Sequence, residues 1–169
     1  MKRRMKRLVI AVILAVALAI VPVSGVLADT SQDVTVTATP SYVSISNSPI
    51  DFDFGTVAAG VDEDTGTGHF TITNGSTVTI DITIVCNGWS GGTTPWTYGP
   101  AAADTGELKA SDGDGTYDVT VDDTTPAALA SSVSAGAPVS WELELDAPIS
   151  FSHGAEQTTT VTLSAAPSA

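Results

Sequence analysis

Between residues 33 and 164 the chain repeatedly alternates apolar and polar positions, the period of a strand with one buried face. In 33–39, Val34, Val36 and Ala38 share one parity, and Pro40 closes the segment. Residues 42–46 follow, then 50–54, where Asp51 and Asp53 separate Ile50, Phe52 and Phe54. The same period marks 69–74, 77–86, 107–110, 116–122, 139–146 and 157–164. Val78, Ile80, Ile82, Ile84 and Cys86 form one inward row. Trp141, Leu143 and Leu145 form another, which turns Glu142 and Glu144 outward. Asn74-Gly75 is the strongest hairpin signal, since both residue types accept the positive φ of a tight turn. Residues 61–68 and 87–103 read as Gly-rich loops, and 126–134 has room for one helical turn. Short strands at roughly ten-residue spacing predict an all-β antiparallel β-sandwich of about seven to nine strands.

The first 28 residues break that pattern. Lys2, Arg3, Arg4, Lys6 and Arg7 precede an unbroken apolar run from Leu8 to Val21, and Val26-Leu27-Ala28 offers a small-residue cleavage site. A cationic start, an apolar core and such a site predict a helical secretory signal peptide, 1–28, removed after Ala28. The run is shorter than the roughly 20 residues of a membrane span, so no membrane segment is expected after cleavage. The expected product is a secreted, extracellular or cell-surface chain, 29–169, forming a single domain with 87–135 as a variable loop-rich insertion.

Composition sharpens the picture. Residues 29–169 contain 24 Thr, and Thr with Val and Ile stiffens the backbone toward extended conformations. They also carry 19 Asp or Glu against Lys109 alone, a formal charge of −18. Such a surface repels phosphate, which excludes nucleic acid and anionic membranes as partners. Cys86 is the single cysteine, so the chain forms no internal disulfide, and its parity places it in the core.

Two groups of residues carry a resemblance. Phe52-x-Phe54-Gly55-Thr56-Val57-x-x-Gly60 is followed by Phe70-x-Ile72-x-Asn74-x-Ser76 and by Ile80-x-Ile82. Ala135-Gly136, the strand pattern to Leu145, Pro148 and Thr160-Val161-Thr162-Leu163 complete the set. This resembles hydin-type immunoglobulin-like modules over about residues 50–84 and 133–164. The resemblance implies an immunoglobulin-like sandwich, with Phe52, Phe54 and Val57 feeding one sheet, and it implies no activity. A looser resemblance, in signal peptide and Thr-rich strands, is to secreted subunits of microbial surface filaments and matrix fibres. It implies self-assembly, in which 33–39 completes a neighbour's sheet; the alternative is pairing within its own sheet.

Candidate chemistry is sparse. There is no G-x-S-x-G, no H-E-x-x-H and no clustered His or Cys, so the chain reads as non-catalytic. Trp89, Trp96 and Tyr98 lie among glycines and threonines, where aromatic rings could stack on sugars of a cell-surface polysaccharide. Alternatively they fold back over the end of the sandwich. Asp112, Asp114 and Asp118 sit in a Gly-bent loop with the hard-oxygen chemistry that calcium prefers, the only cofactor suggested. The same residues also suit a turn into a strand that faces Tyr117, Val119 and Val121 inward, with Tyr117 bonded to backbone as a tyrosine corner. Asn74-Gly75-Ser76 meets the glycosylation sequon. The leading expectation is a structural or assembly protein of a surface layer, filament or matrix. The alternative is a glycan- or wall-binding module built on 89–98.

Overall fold

Inward-facing rows of β-branched and aromatic residues, spaced by two, set the architecture. The computed structural model describes residues 35–169. The predicted signal peptide, with Asp33 and Val34, lies outside the described residues. Residues 39–169 form one compact unit, and those up to Ala38 belong to another. No helix occurs among the described residues.

The strands are β1 (Ile45–Ser48), β2 (Glu63–Asp64), β3 (Phe70–Asn74), β4 (Ile80–Cys86) and β5 (Thr97–Tyr98). They continue with β6 (Thr105–Ser111), β7 (Val119–Val121), β8 (Ala127–Val133), β9 (Pro138–Asp146) and β10 (Val161–Pro167). A seven-stranded sheet runs β1-β3-β9-β6-β5, with β2 also on β9 and β7 also on β6. A three-stranded sheet runs β10-β4-β8. Pairing is antiparallel apart from β5 with β6. The described residues are therefore all-β, with two sheets packed as a sandwich.

Parity places the core correctly. Ile80, Ile82, Ile84 and Cys86 of the small sheet pack with Ile72, Leu108, Val121, Trp141, Leu143 and Leu145 of the large one, all buried. Trp141 stacks on Phe70 with centroids 4.5 Å apart, and its Nε1 donates to Asn47 Oδ1 at 2.9 Å. The Cys86 thiol is buried against the Val121 carbonyl.

Several expectations are corrected. Asn74-Gly75 makes no hairpin: β3 lies in the large sheet and β4 in the small one, and neither residue has a positive φ. The chain crosses between sheets here because Ile72 and Ile80 must face each other across the core. Residues 126–134 hold the strand β8 and no helical turn. Within 87–135, β6 sits centrally in the large sheet and β8 completes the small one. Residues 50–54 have the strand period but join no sheet; Ile50 is 87% and Phe52 38% exposed. Residues 35–39 form no strand either, and Val36 is 85% exposed.

Where the sheets part, a groove of about 890 Å³ opens between β9 and β10. Trp141, Leu143 and Leu145 line one wall, Val161 and Leu163 the other, with Phe54 and Phe151 among the loop residues beside it. Among the described residues the strand β10 pairs only with β4, at the edge of its sheet. Asn87 N donates to Thr160 O and Ser168 N to Thr79 O. In that register the even-numbered residues of β10 bond to β4, while the backbone groups of Val161, Leu163 and Ala165 point away from it.

Candidate functional site

Three places gather the residues that the sequence singles out. The first is the aromatic loop. Trp89 Nε1 donates to Gly106 O at 2.7 Å, and its ring meets Trp96 edge-on at 5.3 Å and stacks near Tyr98 at 6.5 Å. Trp96 lies almost parallel to Phe151, at 9° and 5.4 Å, and its backbone N–H donates to Gln157 Oε1. Gly91, at φ 149°, allows this contact: a Cβ there would stand 2.0 Å from Glu156 O. His153 closes the pair of loops against Thr94 O. The structure thus brings Trp89, Trp96 and Tyr98 together, but half-buried and turned on one another and on residues 151–157. Trp96 Nε1 is buried with no hydrogen-bond partner among the described residues. Trp89, Trp96 and Phe151 also line the groove that Trp141, Leu143, Leu145, Val161 and Leu163 wall.

Tyr98 anchors the cluster from below. Its hydroxyl accepts from Leu108 N at 2.9 Å and donates to Val121 O, tying β6 to β7. Burial pushes its pKa well above the usual tyrosine value. The backbone-bonding tyrosine is thus Tyr98 and not Tyr117. Tyr117 instead lies by acidic residues: burial, then Asp64, Glu142 and Glu144, push it up to about 12.

The second place is the 111–118 loop. Asp112, Asp114 and Asp118 are exposed, and they do not converge. Asp114 Oδ1 accepts from Thr116 N at 2.7 Å and from Ser111 Oγ at 3.1 Å, and these bonds hold its carboxyl below the usual aspartate value. Among the described residues no three His, Cys, Asp or Glu side chains form a ready-made metal ligand set. The loop instead folds over the outer face of β9. Gly113, at φ 92°, passes so close that a Cβ would stand 2.9 Å from Ser140 O. Beneath it lies Glu142, outward by parity as expected, yet 0% exposed. Alternation reports the face of a sheet and not what covers it.

The third is Asn74, also 0% exposed. Its Nδ2 donates to Val78 O at 3.1 Å and to Val133 O at 2.8 Å, while Oδ1 accepts from Ser76 N at 2.8 Å. Both amide hydrogens of the sequon asparagine are engaged inside the fold, so a glycan on this nitrogen would displace them.

The neighbouring strands β9 and β6 also carry an ion-pair group. Lys109 Nζ lies 3.1 Å from Asp146 Oδ2 and 3.9 Å from Glu144 Oε1. Burial pushes Glu144 up, against the pull of Lys109, with Asp62, Asp146 and Asp64 adding to the rise. Comparison with protein-family models, with curated proteins and with solved structures finds no match to this chain.

Proposed function

We propose that the mature chain is a non-catalytic extracellular subunit, with an immunoglobulin-like sandwich, that assembles with its own copies into a cell-surface layer, filament or matrix. The observation that carries this reading is the edge of β10, unpaired among the described residues, beside a groove whose walls include Trp141, Leu143, Leu145, Val161 and Leu163. An exposed edge strand is a template for another strand unless it is blocked. Here Pro167 blocks only one end of it, and Val161, Leu163 and Ala165 present their backbone groups outward.

The occupant is the 33–39 segment of a second copy. It has the right period, its Val36 is exposed, and residues 35–39 join no strand among the described residues. Added beside β10, it would turn Val34, Val36 and Ala38 into the groove and gain ladder hydrogen bonds from its backbone. The apolar gain is about 25 cal/mol per Å² of surface covered, so three small side chains contribute a few kcal/mol at most. Repetition along a fibre, not a single tight contact, would then hold the assembly.

Ala165→Pro tests this directly. It deletes an outward N–H and leaves the β4 ladder intact, since an edge position tolerates proline. The variant should fold as a monomer and fail to form the particles that negative-stain microscopy shows for wild type. Deleting residues 29–39 should do the same. Assembly that survives both changes, or a wild type that stays monomeric and binds polysaccharide, would overturn the reading in favour of a glycan-binding module.

A further inference from the structure

Asparagine is followed by glycine at two places in the chain, Asn74-Gly75 and Asn87-Gly88, and the fold treats them in opposite ways. Such a pair is chemically labile, because glycine has no side chain to shield its backbone nitrogen from the asparagine's side-chain carbonyl carbon. Reaction needs that nitrogen free and that side chain able to swing onto it. At Asn74 both conditions fail. Gly75 N donates to Ser44 O at 2.9 Å, and the buried Asn74 amide is held by Val78 O, Val133 O and Ser76 N.

At Asn87 both conditions hold. The residue is exposed and follows Cys86, the last residue of β4. Its own backbone N–H donates to Thr160 O at 3.1 Å, which fixes its position. Among the described residues neither Gly88 N nor the Asn87 side chain has a hydrogen-bond partner. Gly88 sits at φ 71°, and a Cβ there would stand 3.4 Å from Asp123 Oδ2. Residues with a side chain rarely adopt that conformation, so the turn out of β4 favours glycine and keeps the labile pair with it.

We propose that Asn87 is a site of spontaneous deamidation by water, giving aspartate and isoaspartate, while the fold preserves Asn74. Gly88 N attacks Asn87 Cγ and closes a five-membered imide. The Cγ–Nδ2 bond breaks, and Nδ2 leaves as ammonia with the proton from Gly88 N. Water then adds to one imide carbonyl and reopens the ring. Opening at Cγ restores the main chain with an aspartate. Opening at the main-chain carbonyl leaves the chain running through Cγ, which is isoaspartate. Either product sets a new carboxylate beside Gly88, which already faces Asp123, and isoaspartate lengthens the chain where β4 hands over to the Thr160 contact.

The test stores the folded protein in mildly alkaline buffer beside a sample unfolded in denaturant, then maps peptides and labels isoaspartate by enzymatic methylation. In the folded sample the Asn87 peptide should turn acidic with release of ammonia, faster as pH rises, because the attacking nitrogen must lose its proton. Asn74 should lag by on the order of a hundredfold or more, since it reacts only through opening of the fold. Unfolding should erase that difference. Asn87→Ser, a change at an exposed position, should remove the folded-state signal and leave that of Asn74 in denaturant. Equal reaction of both asparagines in the folded protein would overturn the proposal. So would an Asn87 that stays an amide there while it reacts in denaturant.

Discussion

The amide of Asn74 satisfies three backbone groups at once, the carbonyls of Val78 and Val133 and the N–H of Ser76. It fixes the crossing from one sheet to the other and ties that crossing to the end of β8. Replacing it by Ala leaves buried polar groups unpaired, each worth about 1–3 kcal/mol. Asn74→Ala should therefore lower unfolding stability by at least that much in denaturant titrations. Asn74→Asp should be no better at neutral pH, because a carboxylate faces two carbonyls and donates to neither. The sequence marks this residue, though for another reason. Asn-Gly signals a change of direction, but which sheet the next strand joins depends on partners far along the chain. The same limit applies to Glu142, whose parity is legible but whose cover comes from loops 65–68 and 111–117.

At the scale of the elements, strong period and β-branched content made β3, β4 and β9 readable. The strand β8, with the sequence Ala-Ala-Leu-Ala-Ser-Ser-Val, has small residues of weak strand preference and is set by pairing with β4. Its register shifts against β4, and Ser132 holds φ 53° there, supported by a bond from its N–H to Asp81 Oδ1 at 2.8 Å. Residues 50–54 show the converse, a strand pattern with no strand beside it. The two-residue β5 is too short to carry a pattern, and Tyr98 holds it in place. Tyr98→Phe should cost about 1–3 kcal/mol, because Leu108 N and Val121 O lose their shared partner. The pH dependence follows from the raised tyrosines. Unfolded tyrosines begin to ionise near 10.0, while Tyr117 folded waits until about 12 and Tyr98 longer. The folded state then holds more protons, so stability is full below 10.0 and falls as pH rises through that window. Denaturant midpoints measured across alkaline pH should show this fall, shallower in Tyr98→Phe and in Tyr117→Phe.

For the molecule as a whole, charge and loop closure pull in opposite directions at low pH. Protonation relieves self-repulsion in residues 29–169, which carry a formal charge of −18. Yet Asp81, Asp104, Asp114 and Asp122 each accept hydrogen bonds, from Ser132 and Ser168, Ser152, Thr116 and Ser111, and Thr124 and Thr125, which lower their pKa values. Their contribution is present above the ordinary aspartate value of 3.8 and is lost as pH falls below it. Stability should rise slightly as repulsion eases toward pH 4 and then drop below it, a maximum that Tm measurements across pH 2–7 would reveal. Asp122→Ala, which frees Thr124 and Thr125, should blunt the drop.

The crossing at Asn74 also sets a timetable. β4 cannot pair with its neighbour in sequence, β3, and must wait for β8 and β10, laid down long after it. A topology so dominated by distant partners folds slowly, on the order of milliseconds to seconds. During that interval the Ile-rich β4 is exposed, and collisions between nascent chains are the main hazard. Mutual repulsion between chains of like charge lengthens the time available for the right partner to arrive.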